Sequence, residues 1–273
     1  MVCSGPLVHA TSLSPRAACP TCKLDYTCPE LQLALAQEWF QRNRDKDELA
    51  PERLAAVHTL ANAFCTTGQP GEAEPLYRRL LELDRARLGP EHRDTLVGAS
   101  SLALALDAQG RHAEAERLYR ETLATKTRVF GPGHALTMMT SAHMCGTLLN
   151  QAKHAEAEAL SRPQYGEWRR LCGPEHEVTL RVATNLALAV AGQGRNGEAE
   201  ALFRTTLTIE RRLYGPEHEV TLRSTKNLAN ALLAQGKVDE AAPLVAKTAG
   251  LAPAPLDPRH RSIASKPPPE EVD

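Results

Sequence analysis

Two sets of residues in this 273-residue chain have types and spacings that could do chemistry. The first is a cysteine cluster near the start: Cys19-Pro-Thr-Cys22 has zinc-knuckle spacing, Cys28 offers a third thiolate, and Cys3 or His9 a fourth ligand. Thiolates and imidazoles in that pattern are what a structural zinc ion takes, and a CPxC pair resembles the closing half of a RING-type finger. The bland alternative is a cysteine-containing leader. The second set is four histidines, His92, His134, His176 and His218, in the strings GPEH, GPGH, GPEH and GPEH. Their spacing of 42 residues places one in each of four successive turns, too far apart to share an ion, so they read as turn residues. Cys65 with His58 on one helical face is the nearest approach to a nucleophile and base, and packing is the preferred reading of both. No GxxxxGK[ST], HExxH or GxSxG motif occurs, and the chain is read as a non-enzyme with no cofactor beyond zinc at the N-terminus.

The turns that carry the histidines define the architecture. Two further markers share the 42-residue step: Gly68, Gly110, Ala152, Gly194 and Gly236, and the Ala-Glu pairs at 73–74, 115–116, 157–158 and 199–200. Three markers in one register signal a repeat, and each unit reads as helix A, a tight turn, helix B and a longer turn. Helix A carries Leu60, Leu102, Met144, Leu186 and Leu228, with Phe64, Leu106, Leu148, Val190 and Leu232 four residues on, so both sets lie on one helical face. Between them runs a small-residue column, Ala61, Ala103, Cys145, Ala187 and Ala229, and helix B has its own in Ala73, Ala115, Ala157, Ala199 and Ala241. Small side chains let helices approach closely. Glycine at the A–B turn suits the left-handed end of a helix, Gly-Pro stops helix B, and the Thr after each His (Thr95, Thr137, Thr179, Thr221) is expected to cap or start the next helix A. Pro163 lies deep in its helix and is expected to kink it.

The expected fold is all-α: a right-handed α-solenoid of about five helix hairpins preceded by an unpaired helix B over 29–46, where Leu31, Ala34, Leu35 and Trp39 match later helix B positions. The expected divisions are a leader at 1–28, a solenoid at 29–250 and a Pro-rich, disordered tail at 251–273. Net charge −1 argues against nucleic acid as a partner, and no apolar run approaches the roughly 20 residues that cross a bilayer. Scattered cysteines and the lack of a secretory pattern point to the cytoplasm, with organelle transit a weaker option.

These features resemble the tetratricopeptide repeats of the kinesin light chain type. The resemblance rests on Asn185-Leu186-Ala187 and Asn227-Leu228-Ala229 in helix A, Gln109-Gly110-Arg111, Gln193-Gly194-Arg195 and Gln235-Gly236-Lys237 at the turn, EAE-x-L in helix B, and GPEH. It covers about residues 30–250. The long heptad coiled coil of a full light chain is not read here, so a motor's own light chain is not expected. The resemblance implies a scaffold or adaptor that holds a peptide or partner segment on a concave groove lined by helix A. The groove positions it implies are Asn62, Ser101, His143, Arg181, Asn185, Arg223, Lys226, Asn227 and Asn230. Because the basic residues fall in the last two units, an acidic segment is the expected ligand. A light-chain-like cargo adaptor, or a repeat module joined to a small zinc-binding N-terminus, are the alternatives.

Overall fold

The structure, a computed structural model, describes residues 29–249. The leader with Cys19, Cys22 and Cys28, and the 251–273 tail, lie outside the described residues. Eleven α-helices and no strands make up the described part, in two compact units.

In the first unit α1 (Pro29–Asn43) packs on α2 (Pro51–Thr66), which pairs with α3 (Pro70–Leu88). Ala36, Leu60 and Ala63 are its buried centre, with Leu33, Phe40, Phe64 and Leu76 against them. Pro at the first position of each helix fits, since its missing N–H has no intrahelical partner there. Arg79 clamps the α1–α2 connection by two bonds to Glu48, at 2.7 and 2.6 Å. The helix B before the first full hairpin is present as expected.

The second unit holds four hairpins: α4 (Arg93–Ala108) with α5 (His112–Phe130), α6 (Ala135–Asn150) with α7 (His154–Cys172), α8 (Glu177–Gly192) with α9 (Asn196–Tyr214), and α10 (Glu219–Leu233) with α11 (Val238–Thr248). Each helix packs on its neighbours in sequence, and successive A helices also touch, as α6 and α8 do. This is the layout of an α-solenoid. Both small-residue columns are buried to within 1 % of complete. The Cys145 thiol donates to the Ala157 carbonyl at 3.4 Å, which shows how near the A and B backbones come. Burial pushes that thiol up to about 12, so it stays protonated and inert. α7 runs unbroken through Pro163 over 19 residues, the length of α5 and α9.

The GPEH turn differs from expectation in who caps. In all four copies the histidine is the N-cap: its Nδ1 accepts from the backbone N–H two residues on, at 3.2 Å from Asp94 and Leu136, 3.3 Å from Val178 and 3.4 Å from Val220. Thr95, Thr137, Thr179 and Thr221 sit inside the helices, at the third residue of each, and are buried, so the capping role expected of them belongs to the histidines. Three of the imidazoles also stack on the preceding helix B, on Phe130, Trp168 and Tyr214. The motif's Glu ties the turn to its own hairpin: Glu91 pairs with Arg128, Glu175 with Arg212 and Glu217 with Lys247.

QGK/R and EAE form an inter-hairpin network. Glu116 accepts from Arg120 one turn on and from Gln151 and Lys153 of the following turn, at 2.7, 2.7 and 2.6 Å. Glu200 repeats this with Arg204, Gln235 and Lys237, and Glu158 with Arg162, Gln193 and Arg195. The arginine's other arm reaches the next hairpin: Arg120 to Glu156, Arg162 to Glu198 and Arg204 to Glu240.

One interior position varies from hairpin to hairpin. At equivalent sites of α5, α7 and α9 stand Lys126, Trp168 and Glu210, each 2 % exposed or less. Trp168 lies among Met138 and Ala142 of α6 and Val178 and Val182 of α8, so the site is a slot between successive A helices.

Candidate functional site

Amphipathic spacing places Arg223, Lys226, Asn227 and Asn230 at i, i+3, i+4 and i+7 of α10, one stripe of one face. Arg181, Thr184, Asn185 and Leu188 make the matching stripe on α8, and Val97 and Met139 hold the Arg181 register position on α4 and α6. At that register position the A helices of the second unit therefore change from apolar to basic.

Burial divides these residues. Asn230 is exposed, while Arg181, Arg223, Lys226 and Asn227 are half-buried. Ser101, His143 and Asn185 are buried, at 4, 7 and 7 %. Packing of α8 on α6 is the reason for His143 and Asn185: Asn185 Nδ2 donates to the Ala142 carbonyl at 3.2 Å, and Arg181 Nη1 stands 3.3 Å from His143 Nε2. His143 also faces the Tyr119 ring at 6.4 Å. Asn62 belongs to the first unit, where its Oδ1 accepts from Tyr77 Oη at 2.5 Å and its Nδ2 meets His58 Nδ1 at 3.2 Å. His58 is thus engaged with Asn62, and Cys65 is buried at 3 %. Neither forms the exposed thiolate–imidazole arrangement that nucleophilic catalysis uses.

Among the described residues no group of three or more His, Cys, Asp or Glu is placed to hold a metal ion. The four turn histidines each serve their own helix. No helix of the described residues is long and apolar enough to cross a membrane. Sequence reasoning passes over buried ionisable groups, Lys126 and Glu210 among them; their signal is the register they share with Trp168, a core position.

Hairpins of this length, with buried small-residue columns and a one-sided A-helix stripe, define a repeat scaffold. The tetratricopeptide repeat model matches residues 52–128, 134–209 and 185–253, and the chain belongs to that family. Among solved structures it is similar to nearly identical TPR-like repeats of a putative kinesin light chain from Podosopora anserina, at 25 % identity and TM-score 0.62, over 72 % of this chain and 93 % of that one. It also shares its fold with BtubC (BKLC) from P. vanneervenii, at 21 % identity and TM-score 0.62, over 84 % and 95 %. No curated protein matches it.

Proposed function

We propose that the chain is a non-catalytic protein-interaction scaffold whose A-helix face grips an acidic, extended segment of a partner. The observation that carries this is the stripe on α8 and α10, with Arg181, Arg223, Lys226, Asn227 and Asn230 in one register. Asparagine offers an extended backbone both a donor and an acceptor, and guanidinium and ammonium groups bond carboxylates at about 1.5–3 kcal/mol per well-formed contact. Val97 and Met139 add apolar contacts for the segment's other end. Membership of the tetratricopeptide family supports a binding rather than a chemical role.

Fluorescence anisotropy with labelled acidic and charge-reversed peptides tests it. The acidic peptide should bind more tightly, and Arg181→Glu with Arg223→Glu should weaken it more than tenfold while far-ultraviolet circular dichroism stays helical. Equal affinity for wild type and variant across all acidic ligands would end the reading.

A further inference from the structure

Lys126 is a fully interior lysine whose amine meets no carboxylate among the described residues. Its Nζ donates to Ser100 Oγ of α4 and Thr140 Oγ1 of α6, both at 2.8 Å. Each hydroxyl directs its own proton to a carbonyl one turn back, Ser100 to Leu96 at 3.0 Å and Thr140 to Leu136 at 2.8 Å, which leaves lone pairs facing the amine. The two hydroxyl oxygens are 3.2 Å apart. One amine therefore bridges two successive A helices.

The donor count distinguishes the two protonation states. A neutral amine has two N–H bonds and finds two acceptors. An ammonium has three and would leave one unmet inside a site with 2 % exposure. The surrounding elements offer no compensating charge. α4 carries Arg93 and Asp94 in its first turn and Asp107 at its far end, where Asp107 meets His112. α6 carries His143 and Cys145, the first against Arg181 and the Tyr119 ring, the second against the Ala157 carbonyl. On α5 itself Glu116 and Arg120 belong to the inter-hairpin network, and Arg128 pairs with Glu91. In the next copy of the slot Trp168 fills the space with an indole, which does not titrate.

We propose that Lys126 is a proton-controlled joint between α4 and α6, holding the two A helices together as a neutral amine and loosening them when protonated. Burial pulls the group down from 10.5 to about 7, which places the change near neutral pH. The sign follows from linkage. Between about 7 and 10.5 the unfolded chain keeps a proton that the folded chain has released, so stability contributed by the joint rises with pH through that window and is lost as pH falls through it. Because α4 and α6 carry Val97, Ser101, Met139 and His143, the joint acts on the same face as the stripe, whatever that face holds.

Two measurements on the full chain test this. The first is the carbon-detected titration of Lys126 Cε in wild-type protein; a midpoint near neutral supports the joint, and one in the ordinary lysine range overturns it. The second compares denaturant unfolding of wild type and Lys126→Met, an unbranched side chain one atom shorter that fills most of the slot and does not titrate. The ratio of their folding equilibrium constants should rise nearly tenfold per pH unit between about 7.5 and 9.5. Over the same range hydrogen exchange in α4 and α6, corrected for intrinsic rate, should slow in wild type and stay level in the variant. A ratio independent of pH, or exchange that responds identically in both proteins, overturns the proposal; should the variant not fold, the titration decides alone.

Discussion

Asn185 of α8 donates to the backbone carbonyl of Ala142 in α6 at 3.2 Å, linking two A helices across 43 residues of sequence. A side chain on the candidate groove face is thus also a fastener of the face itself. Asn185→Leu should lower stability by about 1 kcal/mol, the net worth of one buried hydrogen bond. Asn185→Asp, which aims a carboxylate at a carbonyl, should cost about 3 kcal/mol. Denaturant unfolding of the two variants checks the order.

The histidine caps make a prediction that a metal site would not. His176 caps α8 through Nδ1 at 3.3 Å and stacks on Trp168 with ring centroids 5.8 Å apart. His176→Asn should retain the cap and lose the stack, and His176→Ala should lose both, at about 1 kcal/mol for the cap alone. Thermal melts should rank wild type, Asn and Ala in that order, and added zinc should move none of them.

Ala152 occupies the left-handed backbone region, with φ 57°, where Gly68, Gly110, Gly194 and Gly236 occupy the equivalent turns. A β-carbon is strained there. Ala152→Gly should therefore raise stability by up to about 1 kcal/mol, an unusual gain for a glycine substitution. The unfolding midpoint should rise without a change in slope.

The inter-hairpin carboxylates predict an acid transition. Bonds from Arg195, Arg162 and Gln193 hold Glu158 near 2, and those from Lys237, Arg204 and Gln235 do the same for Glu200. At Glu116 burial works in the opposite direction, and the bonds from Lys153, Arg120 and Gln151 outweigh it to reach about 2. These folded-state values lie below the ordinary 4.5, so the stabilisation is complete above that pH and disappears as pH falls towards 2. Urea midpoints at pH 5 and 3 should separate strongly in wild type and less in Glu158→Gln with Glu200→Gln. Salt should narrow the wild-type gap, since the partners Arg120, Arg162 and Arg204 stand about half-exposed.

The hairpins were legible because they rest on period and punctuation: the 42-residue step, turn glycines and alanine columns all reflect backbone approach, which sequence spacing reports directly. The cap was misread for a chemical reason. Thr95, Thr137, Thr179 and Thr221 have the usual capping side chain, whereas imidazole at His92, His134, His176 and His218 reaches the same N–H through Nδ1. The ion network was visible only as a repeated string, because Gln235 and Glu200 lie 35 residues apart and meet only once hairpins stack. Lys126 was hidden by its type: a lysine in a helix B ordinarily belongs to a solvated face, and only the core role of Trp168 marks its position as interior.

That unlike trio of Lys126, Trp168 and Glu210 bears on how such a chain finds its fold. Near-copies of one hairpin offer many wrong dockings, because their alanine columns and ion pairs fit almost any neighbour. Exchanging partners would bury the Lys126 amine among Met138, Val178 and Val182, or press an indole between Ser100 and Thr140, at the cost of unmet hydrogen bonds or a steric clash. The Lys126 and Trp168 seams thus differ in what they accept. A hairpin exchange at either seam is thereby penalised from within, where no surface contact would betray it.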